Sequence, residues 1–149
     1  MTITYLLLGT ICLIVWGYFK NGTVYLAFQE LKKENYEKVE NLLAKIRRPE
    51  LLKKSQKSYF HFTKGFIDLN KQNFDSAYEN LKSALSLGLR TQNDTSIVTL
   101  NLAAMEIERK NLEEARNYLK QTKGLKHKLI LKSEIERIES EIDAAQPMP

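Results

Sequence analysis

The sequence repeats itself at a fixed interval, and this repetition limits the possible folds more than any other feature. Residues 35–43, 73–81 and 111–119 align with a constant offset of 38 residues. Each stretch begins with Asn, a large apolar residue and an acid, and it ends in Leu. A small residue also stands eight positions before each Asn, at Ala27, Gly65 and Ala103. Small positions at one interval indicate pairs of elements that meet closely at the same point in every unit.

The apolar residues after position 21 recur at helical spacing, as in Phe62, Phe66 and Leu69. The breaks between them predict helices at roughly 22–33, 36–48, 56–71, 74–87, 93–110 and 112–123. A seventh helix is predicted over about 127–145, with Leu131, Ile135, Ile138 and Ile142 on one stripe. This stripe suits a helix that caps the end of an array, but it could also form a short coiled-coil seam.

Together these features resemble a tetratricopeptide repeat (TPR) array over about residues 22–125. The matching positions are the small residue of the first helix (Ala27, Gly65, Ala103), the apolar start of the second (Tyr36, Phe74, Leu112), its small residue (Ala77, Ala115) and its later leucine (Leu43, Leu81, Leu119). The sequence departs from the family in its interval, which is usually about 34 residues. It also has acids, Glu30, Asp68 and Glu106, where the first helix usually carries an aromatic residue.

The first twenty residues form a separate segment. No charged side chain occurs from Thr2 to Phe19, and Lys20 follows. Seventeen helical residues would span roughly 26 Å, which is at the short end for a bilayer core. Because no basic residue precedes the run and no small-x-small site follows it, we prefer a retained transmembrane anchor to a cleaved signal peptide or a buried core helix. The lysines that follow then predict a single-pass membrane protein with its N-terminus outside and its repeats in the cytosol.

The predicted fold is therefore all-α, with a transmembrane helix before an α-solenoid of three degenerate TPR-like helix pairs and a C-terminal capping helix. The predicted segments are the anchor at 1–20, the repeats within 21–125 (about 22–48, 56–87 and 93–123), the cap at 126–145 and a tail at 146–149.

The sequence offers little that an enzyme could use. Its six glycines are scattered, and it has one cysteine and two histidines, so it contains no phosphate-binding loop and no metal-binding motif. Paired acids such as Glu113 and Glu114 open a predicted helix, where the helix dipole favours them. A net charge of +5 is modest for a nucleic-acid binder. We predict no enzyme activity, no cofactor and no metal, and nucleic acid is not an expected partner.

Two sets of residues are candidates for binding. The resemblance implies a concave surface on the first helices of the pairs, which in TPR proteins commonly holds a peptide or helix of a partner. Its aromatic residues here are Tyr25, Phe28, Tyr59, Phe62 and Phe66, and part of this set is expected to be core. The basic candidates are Arg47, Arg48, Lys53, Lys54, Lys57, Lys123, Lys126 and Lys128. The basic runs suit anionic lipid or an acidic partner, or simply a solvated face.

The function that these features favour is a membrane-anchored scaffold or adaptor. It would bind a protein partner, such as a membrane protein or a helical or extended peptide, and help to recruit or assemble a membrane-associated complex. Two alternatives remain open. The architecture resembles that of N-anchored periplasmic TPR proteins, which would make the chain an outward-facing, chaperone-like helper of protein export. It is also similar to the TPR-like import receptor of the mitochondrial outer membrane, which would make it a receptor for targeting sequences.

Overall fold

The computed structural model describes residues 22–145, which form seven α-helices joined by short turns. No strand occurs in this range. The helices are α1 (22–31), α2 (Tyr36–Ala44), α3 (Lys54–Asn70), α4 (Phe74–Leu87), α5 (Gln92–Glu108), α6 (Leu112–Lys123) and α7 (Lys132–Ala144). Two single 3₁₀ turns, Pro49–Leu51 and Leu129–Leu131, lie in the links before α3 and α7.

The turn inside each helix pair has the same geometry three times. Glu34, Gln72 and Lys110 have positive φ angles of 58°, 61° and 62°. The asparagine that follows each of them donates its backbone N–H to the carbonyl oxygen five residues earlier, at N···O distances of 3.1, 2.9 and 2.9 Å. A left-handed residue followed by such a bond is the Schellman ending of a helix. The same turn conformation therefore recurs in the backbone every 38 residues, at the interval of the sequence repeat.

Two helix ends differ from the sequence prediction by more than two residues, and the first is the end of α2. This helix ends at Ala44 rather than near residue 48. Arg48 is non-helical, with φ −134° and ψ 75°, because the ring of the following Pro49 disfavours helical backbone in the residue before it. The basic stretch around this proline is thus a link between two pairs and not the last turn of a helix.

The second difference is the start of α7, which lies at Lys132 rather than near residue 127. The backbone N–H groups of Lys126 and Lys128 donate to Gln92 Oε1 at 2.8 Å and Asn93 Oδ1 at 2.9 Å. These side chains belong to the first turn of α5. Because they hold residues 126–128 in an irregular conformation, the helix begins only after this segment and the 3₁₀ turn that follows it.

The small residues of the repeat lie where the helices of each pair meet. Ala27, Ala103 and, in the second helices, Val39, Ala77 and Ala115 have no exposed surface. The main core continues from α1 to α7, where Ile135, Ile138 and Ile142 are buried. α7 packs on α5 and α6, so its apolar stripe is covered within the chain, as expected for a cap. This arrangement of paired helices is compatible with an α-solenoid.

The prediction of a single-pass membrane protein must be corrected. No helix within residues 22–145 is both long enough and apolar enough to cross a membrane. The longest, α3 and α5, have 17 residues each, which is less than the roughly 20 apolar residues that a span needs, and both carry charged side chains. The fold that is described is helical without a transmembrane helix, and the predicted membrane location is likewise not supported. The predicted anchor (1–20) and tail (146–149) lie outside the described residues.

Candidate functional site

The acids at which the sequence departs from TPR proteins bind side chains within the helical array. Asp68 accepts hydrogen bonds from Ser76 Oγ at 2.6 Å and from Asn80 Nδ2 at 3.0 Å. Glu106 accepts from the hydroxyl group of Tyr78. At the corresponding place in the first pair, Lys33, Asn35 and Lys38 bind the carboxylate of Glu30. These carboxylates therefore connect helices and turns and are not directed into an open site.

A depression along the first helices is lined by α1, α3, the start of α5 and residues 128–131. It consists of two clefts of about 460 and 660 Å³, which share Phe28, Lys32, Thr91 and Asp94. We call it the α1–α3–α5 groove. Its lining residues are Val24, Tyr25, Phe28, Gln29, Leu31, Lys32, Ser55, Gln56, Tyr59, Phe62, Phe66, Arg90, Thr91, Asn93, Asp94, Ile97, Lys128, Ile130 and Leu131.

Aromatic rings form the floor of this groove. Phe28 meets Tyr59 and Phe62 edge-on, at centroid distances of 4.8 and 5.4 Å, and Phe62 lies 4.8 Å from Phe66. Such tilted contacts stabilise aromatic clusters. Each of the five aromatic residues selected from the sequence lines the groove, but to different extents. Phe28, Tyr59 and Phe62 are buried, Phe66 is half-buried and Tyr25 is 59% exposed.

One wall of the groove is fixed by a buried hydrogen bond between α3 and α5. The hydroxyl group of Tyr59 donates to Asp94 Oδ2 at 2.6 Å and accepts from the backbone N–H of Arg90 at 3.2 Å. Burial, together with the bond to Asp94, raises the pKa of Tyr59 to about 12. The tyrosine therefore remains a donor at neutral pH. Thr91 caps the same turn, since its Oγ1 accepts from the N–H of Asp94 at 3.0 Å.

The rim of the groove is basic. Lys32, Arg90 and Lys128 are exposed, and within residues 22–145 none of them forms an ion pair. Lys32 Nζ lies 4.2 Å from the centroid of the Phe28 ring. Asp94 is the only acid among the lining residues. An approaching chain would therefore meet three unpaired cations around an apolar floor.

Another cleft, of about 570 Å³, lies beside the start of α4 and the exposed Phe74. Both of its arginines are already paired within the chain. Arg109 contacts Asp75 at 3.0 Å, and Arg137 forms ion pairs with Glu134 and Glu141. Its lining also includes Glu108, so this cleft has three acids against two arginines. It therefore presents no excess of positive charge, which distinguishes it from the α1–α3–α5 groove.

The basic residues selected from the sequence are spread over two links, the start of α3 and the end of α6. Lys128 is the only one of the eight that lines the groove. Lys123 pairs with Glu139 on α7. The remaining six, Arg47, Arg48, Lys53, Lys54, Lys57 and Lys126, form no ion pair within the described part of the chain.

Comparison with known proteins adds no relative to this description. No match was found in a scan against protein-family models, in a search of curated proteins or in a search of solved structures. The resemblance to TPR proteins therefore rests on the residues quoted from the sequence. Within residues 22–145, no group of three or more His, Cys, Asp or Glu side chains is placed to hold a metal ion.

Proposed function

We propose that this chain is a protein-binding adaptor, a TPR-like α-solenoid that holds a segment of a partner polypeptide in the α1–α3–α5 groove. The observation that carries this proposal is the aromatic floor with an exposed apolar side chain beside it in each cleft. Tyr25 in one cleft and Ile130 in the other are 59% and 79% exposed. Exposed apolar side chains around a concave surface are typical of sites that bind other proteins.

The groups in the groove support packing rather than a reaction. Tyr59 and Asp94 hydrogen-bond to each other, and the other lining residues are mainly apolar or amide side chains. The two clefts adjoin, since they share four lining residues, and adjoining clefts suit an extended or helical segment better than a compact small molecule. An adaptor that holds such a segment would bring its partner into an assembly.

The basic rim argues against a role as a receptor for targeting sequences. A receptor for targeting sequences would have to attract basic amphipathic helices, and like charges across an interface disfavour binding. Because Lys32, Arg90 and Lys128 are unpaired within the described residues, we do not propose that function.

Photo-crosslinking in the native cells tests the adaptor proposal. A photoreactive amino acid replaces Tyr25 or Ile130, one in each cleft of the groove. The control places it at Leu51, which is 58% exposed, almost as much as Tyr25, and lies outside the groove. We expect both groove positions to crosslink to one segment of the same partner, and position 51 not to do so. Equal crosslinking from all three positions, or none from the groove, would contradict the proposal.

A further inference from the structure

We infer that the partner segment in the α1–α3–α5 groove is acidic and amphipathic, with carboxylates beside large apolar side chains. This inference rests on the proposed function and adds the chemistry of the partner. It follows from the distribution of charge around the groove and from whether each charged side chain already has a partner within the described residues.

The three cations of the rim are distributed along the groove. Arg90 lines one cleft, Lys128 lines the other, and Lys32 lies where the two meet. No carboxylate within residues 22–145 pairs with any of them. A bound segment with acidic side chains along its length would therefore place carboxylates beside cations in both clefts and where the clefts meet. Such complementarity favours the correct partner and speeds its association.

The single acid of the groove does not neutralise the three cations of the rim. Asp94 is buried, and its carboxylate accepts the short hydrogen bond from Tyr59. The carboxylate is thus held against the wall, while the three cations are on exposed side chains. A ligand would meet the cations before it meets the acid.

The aromatic floor of the groove sets a second requirement on the partner segment, which must also carry a large apolar side chain. The larger cleft is lined by Phe62, Phe66 and Ile97, and by the exposed side chain of Ile130. A leucine, isoleucine or phenylalanine of the partner would bury apolar surface there, and large apolar side chains in such pockets usually supply most of the affinity. Acidic residues alone would leave this floor in contact with water.

A second copy of the same chain fits the groove poorly. The most exposed apolar residues in the described range, Leu129 and Ile130, are flanked by Lys126, Lys128 and Lys132. This segment would bring additional lysines to a rim that is already basic. Like charges that face each other exclude a partner, so we assign the groove to a different, acidic chain.

The test is selection from a phage-displayed library of random peptides on the full chain. Groove binders are defined as peptides whose binding is lost in the double variant Tyr25→Ala/Ile130→Ala. We expect them to be enriched in Asp and Glu around Leu, Ile or Phe. The best of them is then synthesised and titrated against a triple charge reversal, Lys32→Glu/Arg90→Glu/Lys128→Glu. All three side chains are exposed, so these substitutions should leave the fold intact.

We expect the triple reversal to weaken binding of the selected peptide by about tenfold or more. The matched control is Lys45→Glu/Lys54→Glu/Lys64→Glu, which changes the net charge equally at exposed positions outside the groove. It should change the affinity by less than about twofold. Added salt should weaken the wild-type complex.

Two failures can be distinguished. If groove binders are selected but are not acidic, or if the two triple variants weaken them equally, the inference about charge is wrong and the adaptor proposal stands. If no selected peptide depends on Tyr25 and Ile130, the proposed function itself is contradicted.

Discussion

Gly65 lies where α3 packs tightly against α4. A Cβ atom at this position would lie 2.8 Å from Leu81 Cδ2 and 2.9 Å from Leu81 Cγ. Leu81 has no exposed surface, so it has little room to move aside. The glycine of the repeat thus sets the distance between the two helices of the middle pair.

We expect Gly65→Ala to lower the free energy of unfolding by about 1–3 kcal/mol, because an added methyl group overpacks a filled core. Alanine is the better helix former by about 1 kcal/mol, which offsets only part of this cost. Chemical denaturation measures the change. Gly124→Ala is the control, since a Cβ there meets its nearest atom at an ordinary 3.5 Å. Equal destabilisation by both substitutions would contradict the steric explanation.

Folding raises the pKa of Tyr59, so the stability of the protein depends on pH in the alkaline range. Burial and then the bond to Asp94 raise its pKa from 10.0 to about 12. The stability from this shift is complete below about pH 10 and is lost as the pH rises towards 12. We expect the free energy of unfolding to fall across this window, with a shallower slope in Tyr59→Phe, which cannot titrate.

Denaturant unfolding at a series of alkaline pH values measures this slope. The matched control, Tyr25→Phe, removes the hydroxyl group of an exposed tyrosine and should leave the slope as it is in the wild type. An identical pH dependence in Tyr59→Phe and the wild type would show that the buried phenol contributes nothing to it.

At the scale of single elements, the turn inside each helix pair contains a residue other than glycine in the left-handed backbone conformation, which is unfavourable for it. Gln72 has φ 61°, and a left-handed backbone costs a residue with a Cβ roughly 1–2 kcal/mol. We expect Gln72→Gly to raise the free energy of unfolding by about 0.5–1 kcal/mol, since glycine adopts this backbone freely. The same substitution within α6, Gln121→Gly, should lower it by about 1 kcal/mol. Thermal and denaturant unfolding distinguish these opposite signs.

The elements also show what the sequence could and could not predict. The repeated asparagines and small residues were sufficient to locate the helices of each pair, because turn and packing signals are local. The start of α7 was misplaced, because Gln92 and Asn93, far away in the sequence, hold the segment before it. The aromatic residues of the groove were selected because the resemblance implies a concave surface on the first helices. Arg90 and Ile130 were not selected, since only the folded chain brings them to its walls.

At the scale of the whole molecule, the order of packing follows the order of the chain. α3 packs on α4, α4 on α5, α5 on α6, and α7 on both α5 and α6. In an array that is held by neighbouring contacts, a defect at one end weakens the nearest units most. The cap is therefore the place to test whether this chain behaves as a solenoid or as a single cooperative globule.

Ile138 is the residue for that test, because it has no exposed surface on α7. We expect Ile138→Ala to lower the free energy of unfolding by about 2–5 kcal/mol, through lost burial and the cavity that remains. In native-state hydrogen exchange, amide protection should decrease most in α5–α7 and least in α3. Ile130→Ala makes the same chemical change at a residue that is 79% exposed, and it should alter stability by less than about 0.5 kcal/mol. If Ile138→Ala reduced protection equally in every helix, the chain would unfold as one unit, and the solenoid description would not explain its stability.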